Sequence, residues 1–272
     1  YEIGVGLVSS EMCIRDSSYP VLIPTDNNMP NFYKLIDRAV QDKLTFIADP
    51  ILDPISYGFT KSIERYIYLR EKYPDIHIMI GIGNITELTH ADTSGINMIM
   101  LGIVEELKLN HILTTQVSRH CSTVIRETDL ARRIIHAASE NNITPKHINN
   151  GLLINHGHKD YAYTSDELSD MTSNIKDKNY RIYVNDDGVH LFNKTIYKVF
   201  SDPYDFYEFL EVDEDSGHSF YLGVELARAQ IAYQLRKEYS QDEELDWGCL
   251  IDKKADNKLQ SKELGPTFKK RK

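Results

Sequence analysis

Four short stretches hold most of the residues that could bind or transform a small molecule: PTDNN (24–28), ADPILDP (48–54), GIGNITELTHADTSG (81–95) and TTQVSRHC (114–121). They are rich in carboxylates, amides and hydroxyls and poor in cations. None has the glycine spacing of a dinucleotide or nucleoside-triphosphate loop. A carboxylate beside an amide suits a neutral heteroaromatic ring, whose N–H donors and carbonyl acceptors it satisfies in pairs. Asp53, between Leu52 and Pro54, is the leading carboxylate of this kind. A helix-capping or loop-stabilising Asp is the competing reading of the same spacing. Asn84, reached through glycines, either presents its amide to a ligand or fills a turn that tolerates positive φ. Asp26, Asn28, Glu87, Asp92, Ser94 and Arg119 are the expected rim, although Asp92–Thr93–Ser94 also reads as the start of a helix.

Two other clusters carry less. HGHKD (156–160) offers two histidines at i, i+2 and an Asp, which without a third placed ligand does not make a metal site, and none is assigned. RHC (119–121) places a cysteine beside a histidine, but neighbours on an irregular segment seldom point at one another, so no nucleophile is assigned.

The elements that must position the four stretches follow from periodicity. Short apolar runs at 19–25, 44–54, 76–83 and 111–115 read as strands, the second running into a Pro-broken loop, and each is followed by a helical pattern. In the first of these, Phe32, Leu35, Ile36, Ala39 and Val40 share one face; the run 93–109 is a largely buried helix, and the fourth helix starts around Thr128. This alternation predicts a parallel sheet with the four stretches on the loops past its C-terminal edge. From about residue 146 the style changes. Alternation and two turn signals over 180–200 predict a small antiparallel meander, and 218–248 reads as one long helix. The domain plan is therefore 1–18 as an unstructured leader, 19–145 as the parallel α/β part, 146–250 as an α+β region and 251–272 as a basic, solvated tail.

The composition is that of a globular α/β protein: 272 residues, 41% hydrophobic and 26% charged. A formal net charge of −10 argues against general affinity for nucleic acid or anionic membrane. No run approaches the ~20 apolar residues of a membrane span. Three scattered cysteines fit neither a disulfide framework nor a zinc site, and a cytoplasmic location is expected.

ADPILDPISYGFTKSIERYIYLR resembles the Asp-Pro-Gly segment of dihydropteroate synthases. IMIGIGNITELTHADTSGINMIMLGIVEEL and HSFYLGVELARAQIAYQLRKEYSQDEELDWG resemble the dihydropteroate-synthase-related branch associated with tetrahydromethanopterin-type cofactors. The resemblance runs from about residue 19 to about 250, carried most specifically by Gly-Asn-x-Thr-Glu-Leu and Gln-Asp-Glu-x-Leu-x-Trp-Gly. It implies a pterin-binding (β/α)8 barrel of which residues 19–145 supply the last four strands, with Asp53 on the pterin; Asn84 is assigned to the same ligand from its own position past the third strand. It also implies condensation of a 6-hydroxymethyl-dihydropterin diphosphate with an arylamine. No tightly bound cofactor is expected, and Mg2+ would enter only with the diphosphate. The family's Ser-Arg-Lys is replaced by Gly83–Asn84–Ile85 and its Arg-x-His by Leu113–Thr114–Thr115–Gln116, so Arg119 and Arg126 are the cations left to substitute. A non-catalytic pterin-binding module and a pterin-dependent methyltransferase barrel are the alternatives. A homodimer is the one assembly kept open.

The stretch 7–17 has neither helical nor strand period, and EMCIRDS (11–17) resembles the translation of a sequencing-library adapter. Residues 1–18 are accordingly expected to be foreign and the rest to be a C-terminal fragment. Cys13 is assigned no function.

Overall fold

The computed structural model describes residues 19–25, 28–212 and 214–251. Asp26, residues 1–18 with Cys13, and the basic tail beyond 251 lie outside the described residues. The chain divides after Leu152 into two compact units.

The first unit alternates strand and helix: β1 (Val21–Leu22), α1 (Met29–Gln41), β2 (Ile47–Ala48), α2 (Phe59–Lys72), β3 (His77–Gly81), the single-turn α3 (Gly83–Thr86), α4 (Thr93–Glu106), β4 (His111–Leu113) and α5 (Val124–Glu140). Local chemistry sets the helix ends. Pro30 supplies a preset φ in the first turn of α1, and the Asn28 side chain accepts from the Asn31 amide at 3.2 Å. α5 begins four residues before the expected Thr128. Its first turns bury Glu127 and Thr128, and polar residues on a buried face conceal a helical period.

All four strands are parallel, in the order β1-β2-β3-β4. Ala48, Ile78 and Ile80 join one buried cluster with Phe32, Ile36 and Ala39 of α1, Tyr66 and Leu69 of α2, Met100, Leu101 and Val104 of α4, and Ala131 of α5. All four long helices therefore pack on one face of the sheet. Because side chains alternate, the register puts Val21, Ile47, His77, Met79, His111 and Leu113 on the other face. That face is open: Val21 is 43% and Leu113 52% exposed. His77 Nδ1 and His111 Nε2 lie there 3.1 Å apart.

The second unit holds α6 (Ser165–Thr172), an antiparallel meander of β5 (Arg181–Asn185), β6 (Gly188–Phe192) and β7 (Tyr197–Phe200), and α7 (Ser216–Leu235). α6 opens with a capping box between Thr164 and Glu167. Tyr221, Leu222, Leu226, Ala229 and Ala232 of α7 pack with Ile182, Val184, Val189 and Leu191 of the meander. The expected helix over 218–248 is corrected: it ends at Leu235, where Arg236 turns left-handed with φ 52°. The next residue explains the stop. Lys237 is only 4% exposed, and its ammonium donates to the Ile154 and Asp246 carbonyls, both at 2.6 Å. It also lies 4.7 Å from the Trp247 ring centroid. Drawing that charge into carbonyl contacts folds 237–248 back instead of extending the helix. Gln241 then covers the free edge of β5, accepting from the Ile182 amide at 3.0 Å and donating to the Tyr180 carbonyl at 3.2 Å.

Among the described residues, no helix is long and apolar enough to cross a membrane.

Candidate functional site

The loops past the C-terminal ends of β2, β3 and β4 are tied to one another by side chains. In the loop after β2, Asp49 follows the strand directly and is 8% exposed. Its Oδ1 accepts from the Ile51 amide at 2.8 Å and from the Tyr66 hydroxyl at 3.0 Å. Burial raises the Asp49 carboxyl above the ordinary range, against the pull of those two donors and of nearby Arg65. Burial also pushes the Tyr66 phenol upward, reinforced by the Asp49 charge, so Tyr66 remains a donor. Asp53 pairs through Oδ2 with Arg65 at 2.8 Å, the two side chains being 19% and 17% exposed. The free oxygens are thus Oδ2 of Asp49 and Oδ1 of Asp53; neither has a protein donor among the described residues.

The backbone of this loop is held in an unusual course. Ile51 has φ 63° and Ser56 φ 68°, both left-handed, and for a β-branched residue that is strained. Gly58 has φ 116°, and a Cβ there would stand 2.9 Å from Asp53 Oδ2, so only glycine leaves the carboxylate in place.

Asn84 and Glu87 link the neighbouring loops. Asn84 lies in α3, not in a positive-φ turn, and its amide donates to the Leu52 carbonyl at 2.8 Å. Glu87 accepts from the Thr115 hydroxyl at 3.1 Å and from the amides of Val117 and Ser118 at 2.8 and 2.9 Å. Hydrogen bonds from the Ser118 side chain and the Val117 amide hold its carboxyl down at about 2. Gly83 permits this approach, since a Cβ there would stand 3.0 Å from the Thr115 hydroxyl.

Beneath the loops, α4 and α5 are joined by the carboxylate of Glu127, 1% exposed. It accepts from the Thr93 hydroxyl at 2.7 Å, the Asn97 amide at 2.9 Å and the Thr123 hydroxyl at 2.7 Å. Thr93 and Thr123 stand at the two helix starts, so this bond set fixes where both loops enter their helices.

The remaining expected rim residues divide. Asn28 caps α1. Asp92 occupies the position before α4 with extended backbone but no side-chain capping bond. Ser94 is half-buried in the first turn of α4, and Arg119 is exposed on a 3-10 turn after β4. In RHC, the His120 ring and the Cys121 thiol both contact the Thr86 carbonyl, at 3.0 and 3.3 Å, not each other. Burial, with the Glu87 charge, pushes the Cys121 thiol up to about 11. In HGHKD, His156 meets the Leu235 carbonyl at 3.3 Å and Lys159 pairs with Glu238 at 3.1 Å. That segment is anchored to the end of α7. Among the described residues no group of three or more His, Cys, Asp or Glu side chains could hold a metal ion.

Sequence reasoning missed three contributors. Asp49 had a readable signal, since it is the first residue past a parallel strand. Arg65 and Tyr66 had none, because they lie on a helix and reach the loop only through the fold.

The fold and site together define a mixed α/β protein with a carboxylate- and amide-lined set of βα loops. No protein-family model matches the chain. An uncharacterized protein of Methanocaldococcus jannaschii is 30% identical over 241 aligned residues, 79% of this chain and 45% of that protein. The chain thus spans about half the length of the curated relative it matches.

Proposed function

We propose that this chain is the pterin-binding C-terminal half of a dihydropteroate-synthase-like barrel, and that the complete protein condenses a 6-hydroxymethyl-dihydropterin diphosphate with an arylamine. The observation carrying this reading is the unreversed strand order with every long helix of the first unit on one face. A doubly wound sheet reverses its order and covers both faces with helices. A sheet that continues in one direction can cover its inner face by closing on itself, as an eight-stranded barrel does. Four strands are half of that ring, and a relative about twice as long leaves room for the other half.

The chemistry then follows from the loops. Asp49 and Asp53 each offer one free carboxylate oxygen to ring N–H donors, and the other oxygen of each is anchored by α2. The arylamine nitrogen attacks the exocyclic methylene carbon, the carbon–oxygen bond breaks, diphosphate leaves with its Mg2+, and the amine releases a proton. What the loops supply to that displacement is orientation.

A second reading, a pterin-binding module without synthase chemistry, is favoured by one observation. Arg65 is engaged with Asp53 and two carbonyls, which leaves the exposed Arg119 and Arg126 as the cations to meet a leaving diphosphate. The test is incubation of the full-length protein with the dihydropterin diphosphate and a panel of arylamines. Pyrophosphate release with each amine consumed supports the enzyme. Tight pterin binding without release supports the module, and absence of pterin binding overturns both.

A further inference from the structure

We propose that Arg65 is a positioning residue that presets the loop 49–58 and leaves Asp53 a single oxygen for ligand N–H groups. This inference rests on the ligand reading above, although its structural half can be tested alone. Arg65 reaches the loop from the second turn of α2 and makes three bonds: Nε to the Pro50 carbonyl at 3.1 Å, Nη2 to the Ile51 carbonyl at 2.6 Å, and Nη2 to Asp53 Oδ2 at 2.8 Å.

Each bond acts where the loop is least able to hold itself. The Ile51 carbonyl belongs to the residue at φ 63°, a conformation that persists only when its surroundings impose it. The planar guanidinium spaces its Nε and Nη2 donors to reach two carbonyls and the carboxylate together, whereas a lysine has no Nε–H and concentrates its donors on one atom. Asn84 fastens the same loop from α3 through the Leu52 carbonyl, so four consecutive residues, 50 to 53, are each held by a side chain from outside the loop.

The consequence is one of specificity. A bare carboxylate accepts two parallel N–H donors across both oxygens. With one acceptor site of Oδ2 taken by Arg65 and Gly58 packed against that oxygen, Oδ1 is the open oxygen of Asp53, which favours a ligand whose donors converge on it or divide between it and the free oxygen of Asp49.

The experiment uses the whole chain with 6-hydroxymethyl-7,8-dihydropterin as the probe. Affinity is read from its fluorescence, and the amides of residues 51–58 are followed by hydrogen exchange. Arg65→Gln should weaken binding at least about tenfold and speed loop exchange at least about tenfold, with the β3 amides still protected. Arg65→Lys should restore neither. In an Asp53→Ala background, Arg65→Gln should cost clearly less affinity than in the parent, because the bond to Asp53 is already gone and only the two carbonyl bonds remain to be lost. An Arg65→Gln affinity within about twofold of the parent overturns the proposal, as does an equal loss in both backgrounds. If the parent chain binds no pterin, the ligand reading fails. Exchange then decides alone: unchanged loop protection in Arg65→Gln overturns the positioning role, and faster exchange sustains it.

Discussion

Replacing Glu127 separates two things its burial contributes, apolar packing and the filling of three hydrogen bonds. Glu127→Leu keeps most of the volume but removes the acceptor. The Thr93 hydroxyl, 3% exposed, and the Asn97 amide, 0% exposed, then have no partner and no water. Thr123 is half-buried and can turn to solvent. Two stranded donors cost about 1–3 kcal/mol each, partly offset by no longer burying a carboxylate, for a net loss of about 3 kcal/mol. Glu127→Gln behaves differently. Its carbonyl oxygen can take the place of Oε2 and accept from Thr93 and Asn97, while its NH2 group donates to a rotated Thr123 hydroxyl. That variant should stay within about 1 kcal/mol of the parent. The assay is native-state hydrogen exchange at the β3 amides, which reports the first unit without relying on a single transition for a two-unit chain. Protection should fall about a hundredfold in Glu127→Leu and less than about tenfold in Glu127→Gln. Equal losses in the two variants would refute the hydrogen-bond account and leave packing alone.

Leu113, 52% exposed on the open sheet face, should respond to context. Leu113→Ala should cost under about 0.5 kcal/mol in this chain, and about 2–5 kcal/mol in a longer protein if the proposed barrel covers that face, by hydrogen exchange at the β3 amides of each. For Glu87, a carboxyl held at about 2 in the fold binds its proton less tightly than in the unfolded chain. Its contribution is therefore fully present above the ordinary glutamate pKa of about 4.3 and lost as pH falls toward 2. NMR signals of residues 115–118 should shift over that window, and the shift should vanish in Glu87→Gln. Cys121, with its thiol raised to about 11, should resist alkylation at pH 8 in the folded chain and react on unfolding, as mass mapping of its peptide will show.

The outline of the first unit was readable because its signals are local: a buried strand is a short apolar run and the helices show their apolar buried faces, the polar first turns of α5 excepted. The bonds that organise the loops are not local. Arg65 meets Asp53 across 12 residues, and Glu87 meets Ser118 across 31, so no window of sequence contains both partners. Asp49 and Asp53 each precede a proline in ADPILDP, and their different environments, a tyrosine and an arginine, appear only when α2 folds over the loop. The end of α7 was obscured for a related reason. The polar run after Leu235 looks like the solvated side of a longer helix until Lys237 is seen to be buried.

The separation of Asn84 and Glu87 by three residues has a consequence for how the chain can change. One reaches back to the loop after β2 and the other forward to the loop after β4, from a single helical turn. In parallel α/β folds the βα loops are ordinarily independent modules, open to exchange one at a time. Here α3 works as a linchpin, and shifting it displaces both flanking loops at once. Directed evolution of this face should therefore yield coordinated sets of substitutions, with changes at 115–118 accompanied by compensation at 87, and changes at 50–53 by compensation at 84.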